Sequence, residues 1–382
     1  MRILWICGLP QAVRETLGDE FHGPPIHAQS WIVSHLPPVS GIDLHIACLW
    51  PGGSARKSVS FEGATIHLLP CPRRGRALLL FQRDQSYFRK LFEELNPDVV
   101  HGWGTEDSFG LVARQLAPRR HVIGIQGLIN ACRARGPLPK RTILTALGER
   151  WTLGRARTIV AESRYAIEAV RPLCPRAEFR VIEHPIRKEF LQSEPADGRH
   201  TRMLFVGTIS EMKGISDALR AFSSIEEPKW DLHIVGSGDL GAETRMLGLA
   251  DELGIRGRIR HDHNLSSREI AAAMQNSSVF LLPTRIDTGP TALKEALALG
   301  LWPVCYDNSG PGEYVRQFSY GTLGRDLDLK DLTAKLREAI RSCPWLDPSR
   351  RATLRNSTRI AFSRERIWGE LSQLYREISL QT

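Results

Sequence analysis

The stretch from Val279 to Tyr314 constrains the fold of this 382-residue chain more than any other part of it. Val279 to Leu282 is a short apolar run of the kind found in buried parallel strands, and Pro303 to Tyr306 predicts the next strand. A helix is predicted between them from Pro290 to Leu299, with Gly300 ending it. Two strand ends, two loops and a helix N-terminus therefore meet at one crevice, which is where open α/β sheets bind ligands.

This crevice contains groups suited to a sugar and a phosphate. Gly289 lies beside the helix N-terminus, where free backbone N–H groups and the helix dipole attract an anion. Asp287 lies in the preceding loop, and Glu295 lies in the helix close to its apolar face. A carboxylate in such a place needs hydrogen-bond partners, which sugar hydroxyls would supply. The alternative is that Glu295 pairs with Lys294 or faces water, while Asp287 only ends a loop.

The order of these residues resembles a known site. The segment runs P-T-x-x-D-x-G-P-x-x-x-x-E-A, then A-x-G-x-x-P-V, and continues into a glycine loop that ends in Glu313. It is similar to the donor site of retaining glycosyltransferases of the glycogen-synthase-like and sucrose-synthase-like group. The resemblance implies the GT-B fold, an α/β architecture of two Rossmann-like, doubly wound parallel-sheet domains facing a cleft. That family has an E-x7-E pattern, and Asp287 replaces its first glutamate with a side chain one methylene shorter.

The resemblance also implies a nucleotide diphosphate sugar as the donor substrate, with no metal or other cofactor. In such a site Glu295 would hold the ribose, Asp287 the hydroxyls of the donor sugar, and Lys213 with the loop amides the diphosphate. The candidate catalytic residues are Asp287, Lys213 and Gln126. The candidate donor-binding residues are Gly8, Gly207, Thr208, Lys213, Gly236, Gly238, Asp262, Arg285, Asp287, Thr288, Gly289, Pro290, Thr291 and Glu295.

Lys213 belongs to a second motif, which runs from Phe205 to Gly214 and resembles the family's F-V-G-R-x4-K-G stretch. A lysine in such a loop is a suitable counter-charge for a diphosphate. Thr208 fills the position of the family's arginine, so either Arg285 substitutes for it or phosphate binding is weaker. The alternative is a surface lysine that caps a turn between a strand and a helix.

A formal G-x-G-x-x-G pattern runs from Gly236 to Gly241, with Asp262 about 20 residues further on. This is the pattern of a dinucleotide-binding fingerprint. However, it follows the second strand of its half of the chain, whereas the fingerprint normally follows the first. The GT-B resemblance explains the same residues as a turn lining the nucleotide site.

The first half of the chain supplies the candidate acceptor residues, which are His101, Trp103 and Gln126. The family commonly has a histidine where Gln126 stands, and a glutamine cannot titrate. In the mechanism proposed for the family, a donor phosphate oxygen takes the acceptor's proton, so the glutamine is tolerable. The alternative for His101 is a structural role, in which its ring nitrogens form hydrogen bonds within the fold at the end of a strand. Gly8 is a single glycine where the family usually has two.

Two further patterns point to metals but have simpler explanations. Arg260 to Leu265 contains two histidines and an aspartate, yet the sequence shows no second ligand cluster beside them. Asp326 and Asp328 form a D-x-D, which precedes a predicted helix that it could cap. We therefore expect no metal site.

Composition is that of a globular protein, with 42% apolar and 24% charged residues. Seven cysteines without a C-x-x-C pair indicate a reducing compartment, and no run approaches the ~18 apolar residues of a membrane span. The N-terminus predicts a buried strand in place of a signal peptide, so we expect a cytoplasmic protein.

The net charge of +9 limits the choice of partner. Basic clusters occur in the first half, but no nucleic-acid motif accompanies them, so nucleic acid is not an expected partner. They favour an acidic acceptor or peripheral contact with an anionic membrane. The clusters are Arg73, Arg74 and Arg76, then Arg133 and Arg135, then Lys140 and Arg141.

The order of predicted elements divides the chain. Residues 1–192 are expected to form the acceptor-binding domain, 193–201 a linker, 202–360 the nucleotide-sugar-binding domain and 361–382 a helix packing back on the first domain. We expect a glycosyltransferase that moves a sugar to a glycan or lipid-linked acceptor with retention, in cell-envelope or exopolysaccharide biosynthesis. One alternative is a dinucleotide-dependent oxidoreductase that uses the turn from Gly236 to Gly241. The other is a nucleotide-binding GT-B protein without catalytic activity, because Thr208, Gln126 and Asp287 differ from the residues usual in the family.

Overall fold

A computed structural model of the protein describes residues 1–9, 36, 41–51, 53–72, 81, 83–136, 138, 140, 142–263 and 265–380. The chain divides into two units. The first unit comprises Met1–Pro185 and Arg364–Thr382, and the second comprises Ile186–Ser363.

The second unit begins upstream of the predicted linker 193–201. Ala196 within that segment is buried, and its N–H donates to the Leu299 carbonyl at 2.9 Å. The polar composition there belongs to a surface segment that packs on the second unit.

The first unit is built on an eight-stranded sheet in the order β3-β4-β2-β1-β5-β6-β7-β8. All neighbours are parallel except β3 and β4. The strands are β1 (Arg2–Cys7), β2 (Asp43–Pro51), β3 (Lys57–Phe61), β4 (Ala64–Cys71), β5 (Val99–Trp103), β6 (His121–Gly124), β7 (Thr158–Ala161) and β8 (Glu178–Val181). The alternation of short apolar runs predicts seven of these strands, at 3–7, 43–49, 65–69, 98–101, 121–125, 158–161 and 179–182. It does not predict β3, an antiparallel edge strand whose side chains alternate between half-buried and exposed.

Helices cover both faces of this sheet. Those described before the unit boundary are α1 (Gln85–Leu95), α2 (Phe109–Leu116), α3 (Ile129–Arg135), α4 (Thr142–Leu153) and α5 (Arg164–Val170). β1 is central, so Trp5 and Cys7 enter the core on one face while Leu4 and Ile6 enter the core on the other.

The second unit contains an all-parallel, six-stranded sheet in the order β11-β10-β9-β12-β13-β14. Its strands are β9 (Arg202–Val206), β10 (Asp231–Val235), β11 (Ile259–Asp262), β12 (Val279–Leu282), β13 (Trp302–Tyr306) and β14 (Thr322–Gly324). The sequence predicts five of the six, at 203–207, 232–235, 258–261, 279–282 and 303–306, each within one residue of the observed bounds, and it does not predict β14. Both sheets confirm the predicted α/β architecture.

The helices of the second unit are α6 (Lys188–Gln192), α7 (Ile215–Ser223), α8 (Ala242–Glu252), α9 (Ser267–Gln275), α10 (Thr291–Ala298), α11 (Ser309–Phe318), α12 (Leu329–Ser342) and α13 (Pro348–Ala361). Gly300 follows α10 with φ +81°, as predicted for a helix terminator. The predicted loop after β13 is largely wrong, because α11 begins at Ser309 and includes both of that loop's glycines.

The last helix, α14 (Arg364–Ser379), belongs to the first unit. Its Leu371 and Tyr375 are buried in the same core cluster as Trp5 of β1. Tyr375 Oη accepts a hydrogen bond from Trp5 Nε1 at 2.9 Å and contacts His101 Nδ1 at 2.7 Å. Among the described helices, we find none long and apolar enough to cross a membrane.

Candidate functional site

Lys213 and Asp287 form an ion pair at the carboxyl ends of β9 and β12. Lys213 lies in a 3₁₀ turn, Glu211–Lys213, which is followed by Gly214 with φ +76°. A Cβ atom at Gly214 would lie 1.8 Å from the Pro283 carbonyl oxygen, so only glycine allows the two loops to approach this closely. The two predicted catalytic side chains of this unit are therefore brought together by the fold.

The backbone around Asp287 is fixed by two helix N-termini. Its Oδ1 accepts from the Gly289 N–H at 3.3 Å, just before α10. Its own N–H donates to Ser309 Oγ at 3.1 Å, and its carbonyl accepts from the Gly310 N–H at 2.8 Å. Both partners lie at the start of α11. The result is a carboxylate beside backbone N–H groups and the positive ends of two helices.

The helix after Asp287 begins one residue later than the sequence predicts. Thr288 is buried, and Pro290 is the residue that caps α10, so that helix begins at Thr291. Gly289 lies between them.

Glu295 has a partner that the sequence did not predict. Its Oε1 accepts from Arg187 Nε at 2.6 Å and its Oε2 from Arg187 Nη2 at 2.8 Å. The Glu295 side chain is 1% exposed. Direct contact with a ribose, as expected from the resemblance, does not fit this placement, because both carboxylate oxygens are buried and bonded to the guanidinium.

Arg285 lies against the loop that carries Lys213. Its backbone N–H donates to the Met212 carbonyl at 3.0 Å, and its side-chain Nη2 is 4.0 Å from Glu211 Oε2. Its Nε is buried and has no hydrogen-bond partner among the described residues. Thr208, by contrast, is exposed. A second cation thus lies close to the loop that carries Lys213, and its role as a substitute for the missing arginine stays a prediction.

The glycine turns of the second unit pack on one another. A Cβ at Gly236 would be 2.0 Å from the Gly207 carbonyl oxygen, and one at Gly238 would be 2.6 Å from the Ile209 carbonyl oxygen. Gly207 donates its N–H to the Val235 carbonyl at 3.0 Å. Gly236 and Gly238 are therefore required by close backbone approach, whereas a Cβ at Gly207 would lie 3.8 Å from its nearest neighbour.

Asp262 already has two partners. Its Oδ2 is 2.8 Å from His233 Nε2 and 2.7 Å from Arg260 Nη2. Burial opposes ionisation, but the hydrogen bonds from His233 and Arg260 outweigh it and lower the pKa of this carboxyl. Both partners bind the same oxygen, Oδ2, so the carboxylate has a structural role in holding His233 and Arg260.

The D-x-D pattern serves the local structure, as predicted. Asp328 caps α12 by accepting the Asp331 N–H at 2.9 Å, and Asp326 accepts from Asn308 Nδ2 at 2.7 Å.

In the first unit, Gln126 ends a chain of polar contacts. Its Nε2 is 3.3 Å from His184 Nε2, and His184 Nδ1 is 2.9 Å from Glu162 Oε1. His184 and Glu162 are buried, and they follow β8 and β7. The sequence analysis missed both, although a polar residue directly after a predicted strand was the available signal.

His101 and Trp103 are not placed to contact an acceptor, which corrects the prediction. Both are buried, and their rings stack with centroids 3.8 Å apart. Burial and the nearby His184 lower the pKa of His101 well below its usual value, which favours its neutral form. Gly8 is also buried, and its carbonyl lies 3.4 Å from Cys48 Sγ.

Two carboxylates near Gln126 were also missed. Glu149 is buried and accepts from the N–H groups of Ile129 and Asn130 at 2.8 and 3.0 Å, capping α3. Glu106 accepts from the Thr105 N–H at 3.0 Å, and a Cβ at Gly127 would be 2.4 Å from its Oε1. Burial, assisted by the charge of Glu149, raises the pKa of Glu106 to about 7.

Comparison with known families agrees with this arrangement. Residues 186–359 match the family described as group 1 glycosyl transferases, and residues 33–190 match the family described as Glycosyltransferase Family 4. The two matches together span both units. The chain belongs to the GT-B glycosyltransferases of the family 4 type.

Relatives of this GT-B chain include proteins of polysaccharide biosynthesis. WcaL of Salmonella typhimurium, named for colanic acid biosynthesis, is 29% identical over 155 residues, covering 38% of each chain. AmsK of Erwinia amylovora, an amylovoran biosynthesis glycosyltransferase, is 27% identical over 173 residues, covering 43% of this chain and 42% of AmsK. Both similarities span less than half of the relative's length.

Solved structures share the fold at low sequence identity. Sucrose-phosphate synthase from Thermosynechococcus elongatus superposes with a TM-score of 0.79 at 16% identity, covering 99% of both chains. Anabaena HepE in complex with UDP-glucose gives 0.75 at 13% identity, covering 99% of this chain and all of HepE. These matches confirm the predicted GT-B fold.

Proposed function

We propose that this protein transfers a sugar from a nucleotide diphosphate sugar to a glycan or lipid-linked acceptor, in cell-envelope or exopolysaccharide biosynthesis. The observation that carries the proposal is the Lys213–Asp287 pair, held between the carboxyl ends of parallel strands and two helix N-termini. This combination offers cationic and N–H groups to a diphosphate and a carboxylate to sugar hydroxyls.

In this proposal the donor separates the ion pair. Lys213 binds the diphosphate with the help of Arg285, and Asp287 accepts hydrogen bonds from hydroxyls of the donor sugar. As the glycosidic bond breaks, negative charge develops on the leaving phosphate, and these fixed cations stabilise it. Glu295 contributes indirectly, by holding Arg187 beneath α10.

The proposed transfer retains the anomeric configuration. The acceptor oxygen forms its bond to the anomeric carbon on the face that the nucleoside diphosphate leaves, and the acceptor's proton passes to an oxygen of the departing phosphate. No side chain has to titrate in this step, which suits a glutamine at position 126. No metal takes part in the proposed transfer.

The named relatives guide the choice of donors to test. One relative, from Xanthomonas campestris, is named a GDP-mannose:cellobiosyl-diphosphopolyprenol alpha-mannosyltransferase, and it is 27% identical over 134 residues. HepE has been solved with UDP and glucose. Both UDP and GDP donors therefore need to be tried.

The acceptor named for the Xanthomonas campestris relative is a diphosphopolyprenol, which is anionic and lipid-linked, and it supports the proposal of an anionic acceptor at a membrane surface. Arg133 and Arg135, in the last turn of α3, would contribute to binding it. Arg73, Arg74, Arg76 and Arg141 lie outside the described residues.

The test is a calorimetric titration with UDP, GDP, ADP and NADH, followed by incubation with the sugar derivative of whichever nucleotide binds. Binding of one nucleoside diphosphate, with transfer or hydrolysis of its sugar to a product of unchanged anomeric configuration by NMR, is the expected result. Inversion would contradict retention alone. Binding of NADH alone would support the oxidoreductase, and binding of nucleotide without turnover would support an inactive protein, as the exposed Thr208 would allow.

A further inference from the structure

One group of three metal-ligating side chains stands out among the described residues of the second unit. Glu243, His261 and His263 each offer a ligand atom, and the three atoms lie within 4.8 Å of one another. Glu243 is in the first turn of α8, His261 is in β11, and His263 follows that strand. The cluster joins a strand end to a helix start, and none of its members has a part in the proposed transfer.

The two histidine rings are close enough to share an ion. Their centroids are 4.5 Å apart, and His263 Nδ1 is 3.0 Å from Glu243 Oε1. The side chains of His263 and Glu243 are 58% and 35% exposed, so an ion could reach them from solvent with small side-chain rotations.

His261 is oriented in the way that protein metal ligands usually are. Its Nε2 is 2.9 Å from the Gly236 carbonyl oxygen, which can only accept a hydrogen bond. Nε2 therefore carries the proton, and Nδ1 carries the lone pair that a metal requires. A ligating histidine almost always donates its other N–H to a carbonyl or carboxylate in this manner.

The carbonyl that orients His261 is itself held in place. Gly236 donates its N–H to the Asp262 carbonyl at 3.0 Å, and its Cα packs directly on Gly207. Two hydrogen bonds thus tie the strand end that carries His261 to the glycine turn. Supporting shells of this kind hold ligands in position.

The other carboxylates beside the cluster have cationic partners outside it. Asp262, next in sequence to both histidines, uses its carboxylate for His233 and Arg260. Asp239 pairs with Arg245 at 2.8 Å. Among the described residues, Glu243 is the carboxylate with an oxygen within 4.8 Å of a nitrogen of each imidazole.

We propose that Glu243, His261 and His263 form a zinc-binding site. Two imidazoles and one carboxylate are a ligand set used by Zn²⁺ with a water in the fourth position, whereas Mg²⁺ and Ca²⁺ prefer oxygen ligands. The site would clamp the end of β11 to the start of α8, beside the Gly236 turn. This departs from the expectation, based on the sequence and the resemblance, that the chain has no metal site.

The experiment is a Zn²⁺ titration of the full chain without a polyhistidine tag and without nucleotide. We expect one equivalent to bind, and we expect His261→Ala, His263→Ala and Glu243→Gln each to weaken binding. For the histidine variants the loss should be at least as large as the 10- to 100-fold that removal of an outer-shell partner costs. Titration with Co²⁺ should give the absorption of imidazole and carboxylate ligation, without the intense ultraviolet band of thiolate ligation.

A matched control is His200→Ala. His200 is also an exposed histidine beside a carboxylate, 3.6 Å from Asp197, but it has no third ligand among the described residues. This variant should bind Zn²⁺ as the wild type does. Zn²⁺ should raise the melting temperature of the wild type and of His200→Ala, but not that of His261→Ala or His263→Ala. The proposal is overturned if His261→Ala and His263→Ala bind as tightly as the wild type, or if Co²⁺ reports thiolate. Because no nucleotide is present, this outcome is independent of the glycosyl-transfer proposal.

Discussion

Arg187 and Glu295 are joined by two parallel hydrogen bonds, 2.6 and 2.8 Å long, although they are 108 residues apart in the sequence. Arg187 also donates from Nη1 to Ser267 Oγ at 2.8 Å. Burial lowers the pKa of the guanidinium, but the charge and hydrogen bonds of Glu295 outweigh it and raise that pKa. The pair therefore connects the first residues of the second unit with α10 and the start of α9.

A double-mutant cycle tests whether this pair is structural. Glu295→Leu and Arg187→Leu should each lower the free energy of unfolding by about 3–5 kcal/mol, because each leaves a buried charge unpaired. The double variant should lose much less than the sum, as measured by urea denaturation. The matched pair Arg202–Asp231 is more exposed, and its cycle should give a coupling energy below about 1 kcal/mol.

The same double variant distinguishes the two roles considered for Glu295. If it binds the nucleoside diphosphate as the wild type does, the carboxylate only holds Arg187. If a folded double variant binds the nucleoside diphosphate about ten- to a hundredfold more weakly than the wild type, Glu295 contacts the ribose directly.

Tyr375 connects the last helix to the core of the first unit. Tyr375→Phe removes the partner of both Trp5 Nε1 and His101 Nδ1, which are buried. We expect a loss of about 2–4 kcal/mol in unfolding free energy, measured by chemical denaturation. Tyr320→Phe is the control, since it removes one bond, to the Gly300 carbonyl, and should cost about half as much. Equal losses of unfolding free energy in the two variants would show that the Tyr375 hydroxyl contributes little to the packing of α14 on the sheet.

Features that depend on local sequence were predictable, whereas contacts between residues far apart in the sequence were not. Strands β7 and β12 are apolar runs buried on both faces, so their bounds were predicted to the residue. The loop around Asp287 was predictable because proline and glycine constrain local backbone. The partner of Glu295 was not, because no local pattern links it to Arg187. Glu243 likewise acquires its histidine neighbours only when α8 packs beside β11.

Glu106 should make the stability of the protein depend on pH. The pKa of this carboxyl is raised to about 7, so the folded protein favours its neutral form. The stability that this provides is complete below the ordinary glutamate pKa and is lost as pH rises through about 7. Compared with the wild type, Glu106→Gln should therefore be equally stable near pH 4.5 and more stable, by up to about 3 kcal/mol, at pH 8.

Thermal denaturation at several pH values measures this difference. The control is Glu168→Gln, at an exposed position of α5, and the two variants are compared at each pH. A Glu106→Gln effect that does not change between the two pH values would show that folding does not raise the pKa of Glu106.

The Lys213–Asp287 pair makes separable predictions for donor binding and transfer. Lys213→Met removes a charged partner of the diphosphate, so affinity for the nucleoside diphosphate should fall about ten- to a hundredfold, measured by calorimetry. Asp287→Asn should leave that affinity close to the wild-type value and reduce transfer, because in our proposal Asp287 contacts the sugar. Lys335→Met is the matched control, since Lys335 is also half-exposed and lies 3.6 Å from an aspartate, Asp331. If Lys213→Met binds nucleotide no more weakly than Lys335→Met does, the diphosphate does not bind at this pair, and the proposed orientation of the donor is wrong.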